Sequence, residues 1–358
     1  MKVLYIGHYR DGTGWGDAAK NNILALHKAD VDVIPRAISY NKGDLELDET
    51  IKELEKKSAD GCDICIQHTL PINYVYDSNF KNIGYLATES SDFLDSRWHK
   101  NINMMDEIWV PSEYVKQSCL KSGVTAPIKI APHCLDTETY KNNSAEVRVQ
   151  QLVDSFNFCF VGEFSERKNL KALLRAFHAE FHPRENVNLY IKTSGLEANK
   201  LEEYCSTVKR GLKLRSKYKN DLIISGRLDK KQYISILSQC HSFVMPSRGE
   251  GFCIPALEAM CLGIPSIYTS GIAVEEFAIG ESVKSQSQPC FGGMESLQNL
   301  YTAKSRWREI DIEDLQIKMR SAYLSELKEE TREKCRTKAE EYSHENIGKL
   351  FKELLNDQ

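Results

Sequence analysis

Short continuous apolar runs alternate with longer amphipathic stretches along most of the chain. In the first half the strand-like runs are residues 3–6, 31–34, 64–66, 83–86, 108–110 and 128–130. Stretches of helical period lie between several of them, at 17–29 and 112–122. A strand that alternates polar and apolar residues has one wet face; a continuous run is buried on both. The pattern therefore predicts βαβ units and a mostly parallel sheet covered by helices on both sides. Residues 136–154 are polar and carry no strand signal, which marks a linker. The alternation restarts with strands at 156–161, 189–191, 222–224, 242–245 and 266–268, with a helix at 169–181. The expected fold class is α/β, with two doubly wound domains in series.

The tail departs from this rhythm. Residues 285–293 read as a loop, and 311–341 as charged and helical. Ser343 is a candidate N-cap for a last helix, in which Ile347, Leu350, Phe351, Leu354 and Leu355 fall on one face. That face needs a surface to dock on.

With 358 residues, the chain is long enough for two domains of roughly 100–200 residues each. The expected division is 1–145, 146–340 and a terminal helix at 341–358. A net charge of -4 argues against a nucleic acid partner, whose backbone calls for a basic excess. The 11 cysteines, odd in number and irregularly spaced, suit reduced thiols and a cytoplasmic setting. The apolar run at 3–6 is short for a signal-peptide core, and no run reaches membrane-spanning length. Membrane contact would be peripheral at most.

The chemistry concentrates in residues 242–269, SFVMPSRGEGFCIPALEAMCLGIPSIYT. A buried strand enters a glycine-containing loop, and a helix opens with Pro255 in its first turn, where a missing N–H costs nothing. Gly263 closes that helix before the next strand. Strand, glycine loop and helix N-terminus together make an anion site. Glu250 and Glu258 flank the turn as acceptor-only groups suited to sugar and ribose hydroxyls.

Glu250, seven intervening residues and Glu258, set in GEGFCIPALEAMCLGIP, resemble the E-x7-E signature of retaining family 4 glycosyltransferases of the GT-B fold. The resemblance implies two Rossmann-like domains facing across a cleft, with a C-terminal helix crossing back to the N-terminal domain. It implies a catalytic role at the donor sugar for Glu250. The backbone of Gly251, Phe252, Cys253 and Ile254 would hold sugar hydroxyls and phosphate, and Glu258 the ribose. Cys253 stands where a glycine is common. FCFVGEFSERKNL at 158–170 resembles the stretch whose basic residues contact the diphosphate, which assigns that role to Lys168 and Arg167. Glu163 occupies the place where the family often has an arginine. GHYRDGTGWGDAA at 7–19 resembles the glycine loop near the donor phosphates and acceptor, with Gly12, Gly14 and Gly16 as its backbone-approach positions, of which Gly14 and Gly16 are the donor-binding candidates.

The implied activity is retaining transfer of a sugar from a nucleoside-diphosphate sugar to a hydroxyl of a glycan or glycoconjugate, with no cofactor and no metal. A sugar-nucleotide epimerase or hydrolase on the same scaffold, or a non-catalytic sugar-nucleotide-binding protein, remains an alternative. His68 and His8, just past apolar runs, are candidates for the acceptor side, because open α/β sheets bind ligands beyond their carboxyl edge. The first glycine loop has the spacing G-x-G-x-G, short of a full dinucleotide fingerprint. Asp30 and Asp32 form a D-x-D triplet, read as a turn residue and a strand entry. Cys62, Cys65 and His68 lack a fourth ligand for zinc. The basic run at 209–219 reads as a solvated helix face.

Overall fold

The computed structural model describes residues 1–38, 47–141, 147–214, 218–292 and 299–357. It divides the chain into two compact units: Met1–Thr137 with Ser296–Ser305 and Glu340–Gln358, and Glu138–Glu295 with Arg306–Ala339.

The first unit is built on strands β1 (Lys2–Gly7), β2 (Asp32–Ala37), β3 (Ile64–His68), β4 (Lys81–Tyr85), β5 (Glu107–Val110) and β6 (Ile128–Ile130). Helices α1 (Gly14–Lys28), α2 (Glu49–Glu55), α3 (Trp98–Ile102) and α4 (Glu113–Lys121) connect them. The strands are parallel and lie in the order β2-β1-β3-β4-β5-β6. The order reverses between β1 and β3, so the loops after these two strands leave in opposite directions and open a crevice. Helix starts follow local capping chemistry: Thr13 accepts from the Gly16 N–H at 3.2 Å, and Ser112 from the Val115 N–H at 3.3 Å.

The last helix, His344–Asn356, belongs to this first unit. Ser343 caps it, as expected, by accepting from the Asn346 N–H at 3.3 Å. Ile347, Phe351 and Leu355 are buried in the same core as Tyr5, Ile23, Leu26 and Trp109, with Leu350 and Leu354 packed against it. The Phe351 and Trp109 rings lie 5.3 Å apart. Gly348 allows the approach to α1, since a Cβ there would sit 2.3 Å from the Ala25 carbonyl oxygen. Lys352 Nζ caps the end of α1 by donating to the Ala29 carbonyl at 2.8 Å. The expected return of the terminal helix to the first domain is thus observed.

The second unit follows α5 (Thr137–Lys141) and contains β7 (Phe156–Glu163), α6 (Leu170–Glu180), β8 (Val187–Ser194), α7 (Ala198–Gly211) and β9 (Leu222–Ser225). It continues through α8 (Lys230–Leu237), β10 (Ser242–Met245), α9 (Ile254–Cys261), β11 (Ser266–Thr269) and β12 (Gly280–Val283). The sheet order is β12-β11-β10-β7-β8-β9, again parallel, with its reversal between β7 and β10. Phe158, Phe160, Leu189, Ile191, Val244 and Ile267 supply its core. The two-domain α/β expectation is met.

One local expectation is corrected, and two are refined. The loop expected at 285–293 contains a strand, β13 (Ser285–Pro289), paired antiparallel with β14 (Arg306–Ile310). Its sequence SQSQP has no apolar run, and none of the five residues is buried; residue 293 lies outside the described residues. The tail expected to be helical is helical, as two helices, α10 (Ile312–Ser325) and α11 (Glu329–Glu340). The stretch 136–154, read as a linker without strand signal, holds no strand among its described residues but does form α5 and a 3-10 turn at Gln150–Leu152, while 142–146 lie outside the described residues.

Candidate active site

In the second unit, the loops leaving β7 and β10 diverge at the reversal of strand order. Lys168 and Arg167 come from the first loop and Glu250 from the second. The two loops are tied by backbone: the Arg248 N–H donates to the Arg167 carbonyl at 2.7 Å. Lys168 Nζ donates to Glu250 Oε1 at 2.6 Å, and Arg167 Nη1 lies 3.2 Å from the same oxygen. Arg167 also donates to the Gly249 carbonyl at 2.8 Å. All three side chains are largely buried, with exposures of 11% for Lys168, 17% for Arg167 and 6% for Glu250. Burial alone would raise the Glu250 carboxyl, but the charges of Lys168 and then Arg167 outweigh it and hold it below its ordinary value. Glu250 is therefore a buried anion with two cations concentrated on it.

The remaining cage converges on Glu309. Arg248 Nε donates to Glu309 Oε2 at 2.6 Å, and its guanidinium lies over the Trp307 ring at 5.7 Å. Asn169, expected as the first residue of a helix, takes a left-handed φ of 53° as the cap of α6 and donates its amide to Glu309 Oε1 at 3.0 Å. Strand β14, absent from the sequence reading, thus carries the acceptor that orders both loops.

Gly251, Phe252 and Cys253 lead into α9, whose first residue is Ile254. The Phe252 ring stacks on Phe277 at 4.5 Å. Cys253 has a φ of 93°, a region that glycine occupies readily and a side chain does not. Its thiol lies against Met245, with Sγ 3.1 Å from Sδ, and burial pushes it up to about 12. Gly263 ends the helix with a φ of 75°, as expected of a closing glycine.

Glu258 is buried and fully engaged on one oxygen. Its Oε1 accepts from Tyr140 Oη at 2.5 Å and Lys230 Nζ at 2.8 Å, and its Oε2 from Tyr233 Oη at 2.7 Å. Burial opposes its charge, but Lys230 and the two hydroxyls win and hold the carboxyl below its ordinary value. Tyr140, Tyr233 and Lys230 went unrecognised in the sequence. Tyr140 lies in the stretch read as linker, and no local pattern links it to a carboxylate so distant in the chain.

Gly14, Gly16, His8 and His68 belong to the first unit. Gly16 is required by the loop itself, because a Cβ there would meet the Asp11 carbonyl oxygen at 2.0 Å, whereas a Cβ at Gly14 would meet open space. Asp30 makes a left-handed turn with φ 59°, and Asp32 starts β2 and pairs with Lys57 at 2.7 Å. Cys62 and Cys65 are buried thiols raised by desolvation. The basic run is partly internal: Lys209 pairs with the buried Asp221 at 2.8 Å, and Lys219 donates to the Val187 carbonyl at 2.5 Å. Residues 215–217 of that run lie outside the described residues.

His8 and His68 sit at the reversal point of the first sheet, His8 just past β1 and His68 as the last residue of β3. The Asn22 amide donates to Tyr5 Oη at 3.4 Å, and Tyr5 Oη and His68 Nδ1 share a hydrogen bond of 2.7 Å. His68 Nε2 is buried with no hydrogen-bond partner among the described residues. Burial, then His133 and His8, hold the His68 ring well below its ordinary value, and burial takes His133 down to about 3. These rings are neutral at physiological pH and suit hydroxyls better than phosphates.

Residues 155–284 match the family model for glycosyl transferases group 1. Over 177 residues the chain is 27% identical to lipopolysaccharide 1,2-N-acetylglucosaminetransferase of Salmonella typhimurium, covering 48% of this chain and 46% of that protein. It is 27% identical over 95 residues to putative glycosyltransferase 48 of a Sulfolobus islandicus filamentous virus, covering 24% of this chain and 30% of that one. The matches thus span less than half the length of these curated relatives. Among solved structures, a lipopolysaccharide outer core galactosyltransferase superposes with a TM-score of 0.64 at 16% identity, covering 99% of both chains. An Anabaena protein in complex with UDP gives 0.62 at 14% identity, covering 100% of both. A trehalose-6-phosphate synthase gives 0.66 at 9% identity, covering 100% of this chain and 99% of that one. At these identities the structures establish the fold alone. Family match, relatives and fold together support a glycosyltransferase of GT-B architecture. Among the described residues, no helix is long and apolar enough to cross a membrane.

Proposed function

We propose that the chain is a retaining, family 4-type glycosyltransferase that moves a sugar from a nucleoside-diphosphate donor to a hydroxyl of a glycan or glycoconjugate. The observation that carries this reading is the Glu250–Lys168–Arg167 cluster at the reversal point of the second sheet. It lies inside the segment matched by the glycosyl transferases group 1 model. The solved UDP complex of the Anabaena protein, which shares this architecture, makes a nucleotide-sugar donor the natural choice.

In the reaction, the bond from the anomeric carbon to the diphosphate oxygen breaks, and a bond to the acceptor oxygen forms on the same face. The acceptor proton passes to the departing diphosphate. Lys168 and Arg167 supply the positive charge that stabilises the leaving group, the role that otherwise falls to a divalent ion. No metal is required. Glu250 holds those two cations in place and faces the donor sugar. Glu258 receives the ribose, and the backbone of Gly251 to Ile254 takes sugar hydroxyls and phosphate. The neutral imidazoles of His68 and His8 are the acceptor-side groups, with His68 Nε2 available to pair with a hydroxyl.

The test is a melting-temperature screen with UDP-, GDP- and ADP-sugars, because a ligand that binds only the native state raises the midpoint. The expected result is a concentration-dependent rise for one nucleotide class, abolished in Glu250→Ala. No rise with any of them refutes the donor site.

A further inference from the structure

An ionised carboxylate offers roughly four acceptor positions, two on each oxygen. On Glu258, Tyr140 and Lys230 fill both positions of Oε1, and Tyr233 takes one on Oε2. One position is left. A ribose diol brings two hydroxyls, so full engagement requires one resident donor to leave. The tyrosines are poor candidates: Tyr140 is 3% exposed and Tyr233 8%, and their rings are packed. Lys230 has a side chain 50% exposed on a flexible stem. Its ammonium is parked over the Tyr140 ring at 4.6 Å and the Tyr233 ring at 5.6 Å. It can depart into water without repacking the core.

Resting on the reading of Glu258 as the ribose acceptor, we infer that Lys230 is a resident counter-ion that occupies part of the ribose subsite when no donor is bound and is displaced when one arrives. In the empty state it keeps the buried Glu258 charge compensated. When a nucleotide binds, the second ribose hydroxyl replaces an ammonium rather than filling a vacant position. The gain from that hydroxyl is correspondingly blunted. Lys230 is thus a positioning residue that sets how strongly the site distinguishes ribose from deoxyribose.

The experiment is calorimetric titration of the full chain with UDP, GDP and ADP and their 2′-deoxy counterparts, using wild type, Lys230→Met and Tyr140→Phe. Lys230→Met removes the competitor, so the ribonucleotide should bind about three- to tenfold tighter, the range of one net hydrogen bond. The affinity lost on 2′-deoxygenation should grow by a similar factor. Tyr140→Phe frees a position on Oε1 and should also enlarge that loss. Weaker ribonucleotide binding by Lys230→Met overturns the inference, since Lys230 would then touch the nucleotide itself. An unchanged 2′-deoxy penalty in both variants overturns it as well, while leaving the donor site standing. If wild type binds none of the nucleotides, the donor-site reading falls and the inference with it.

Discussion

Replacing Lys168 by alanine perturbs charge balance and catalysis together, and the structure separates the two. Lys168 is the nearer of two cations on a carboxylate that is 6% exposed. Removing one member of a buried ion pair costs roughly 3–5 kcal/mol when nothing replaces it. Arg167 remains 3.2 Å from the same oxygen, so part of that loss is recovered and about 2–3 kcal/mol is expected. For a domain of this size the melting midpoint should fall by about 4–12 °C. The effect should depend on pH in a definite sense. The folded-state value of Glu250 is depressed, so its contribution is present above the unfolded carboxyl range and is lost as pH falls through the folded value. Lys168→Ala raises that folded value towards the unfolded one, so the stability lost on acidification should be smaller than in wild type, and the midpoints of the two proteins should converge as pH falls. Turnover on folded protein should drop roughly ten- to a thousandfold, the scale for one charge-stabilising donor. Melting curves between pH 4 and 8, read beside a turnover assay, decide the matter. A lowered midpoint with near-wild-type turnover would refute the catalytic role and leave Lys168 as the structural partner of Glu250.

Glu258→Gln should raise KM for the donor by about ten- to a hundredfold with a smaller change in kcat, because a ribose contact is made in ground and transition states alike; initial-rate kinetics would expose a primarily kcat effect as a contradiction. Activity should survive excess EDTA, and loss of activity restored by manganese or magnesium would show that Lys168 and Arg167 do not suffice. Gly348→Ala places a Cβ against the Ala25 carbonyl and should destabilise by about 1–3 kcal/mol, visible as a lower melting midpoint. An unchanged midpoint would mean that the terminal helix is not held closely on α1.

Much of this architecture was legible because parallel strands buried on both faces write themselves as unbroken apolar runs. FNFCFVGE and SFVM are of this kind, and both became strands beside the reversal point. Strands β12, β13 and β14 were not legible: GESV and SQSQP are mostly polar because their positions are largely at the surface. The candidate site was legible where one local motif spans it, as from Glu250 to Glu258, and where a basic pair follows a strand, as at Arg167 and Lys168. Tyr140, Lys230 and Tyr233 come from two other segments and meet Glu258 only through tertiary packing. Gly16 was singled out for backbone approach to a ligand, whereas the close approach the structure shows is to the loop's own Asp11 carbonyl.

The central claim is that the chain transfers a sugar with retention from a nucleotide donor bound in its second unit. It is tested most directly by proton NMR of the reaction with an α-linked nucleoside-diphosphate sugar, chosen by the melting screen, in the presence and absence of hydroxyl acceptors. The account predicts nucleoside-diphosphate release that depends on acceptor, a product whose anomeric proton carries the α coupling, and loss of both signals in Lys168→Ala. Equal donor consumption without acceptor would make the chain a hydrolase or epimerase, and a β-linked product would contradict the front-side mechanism.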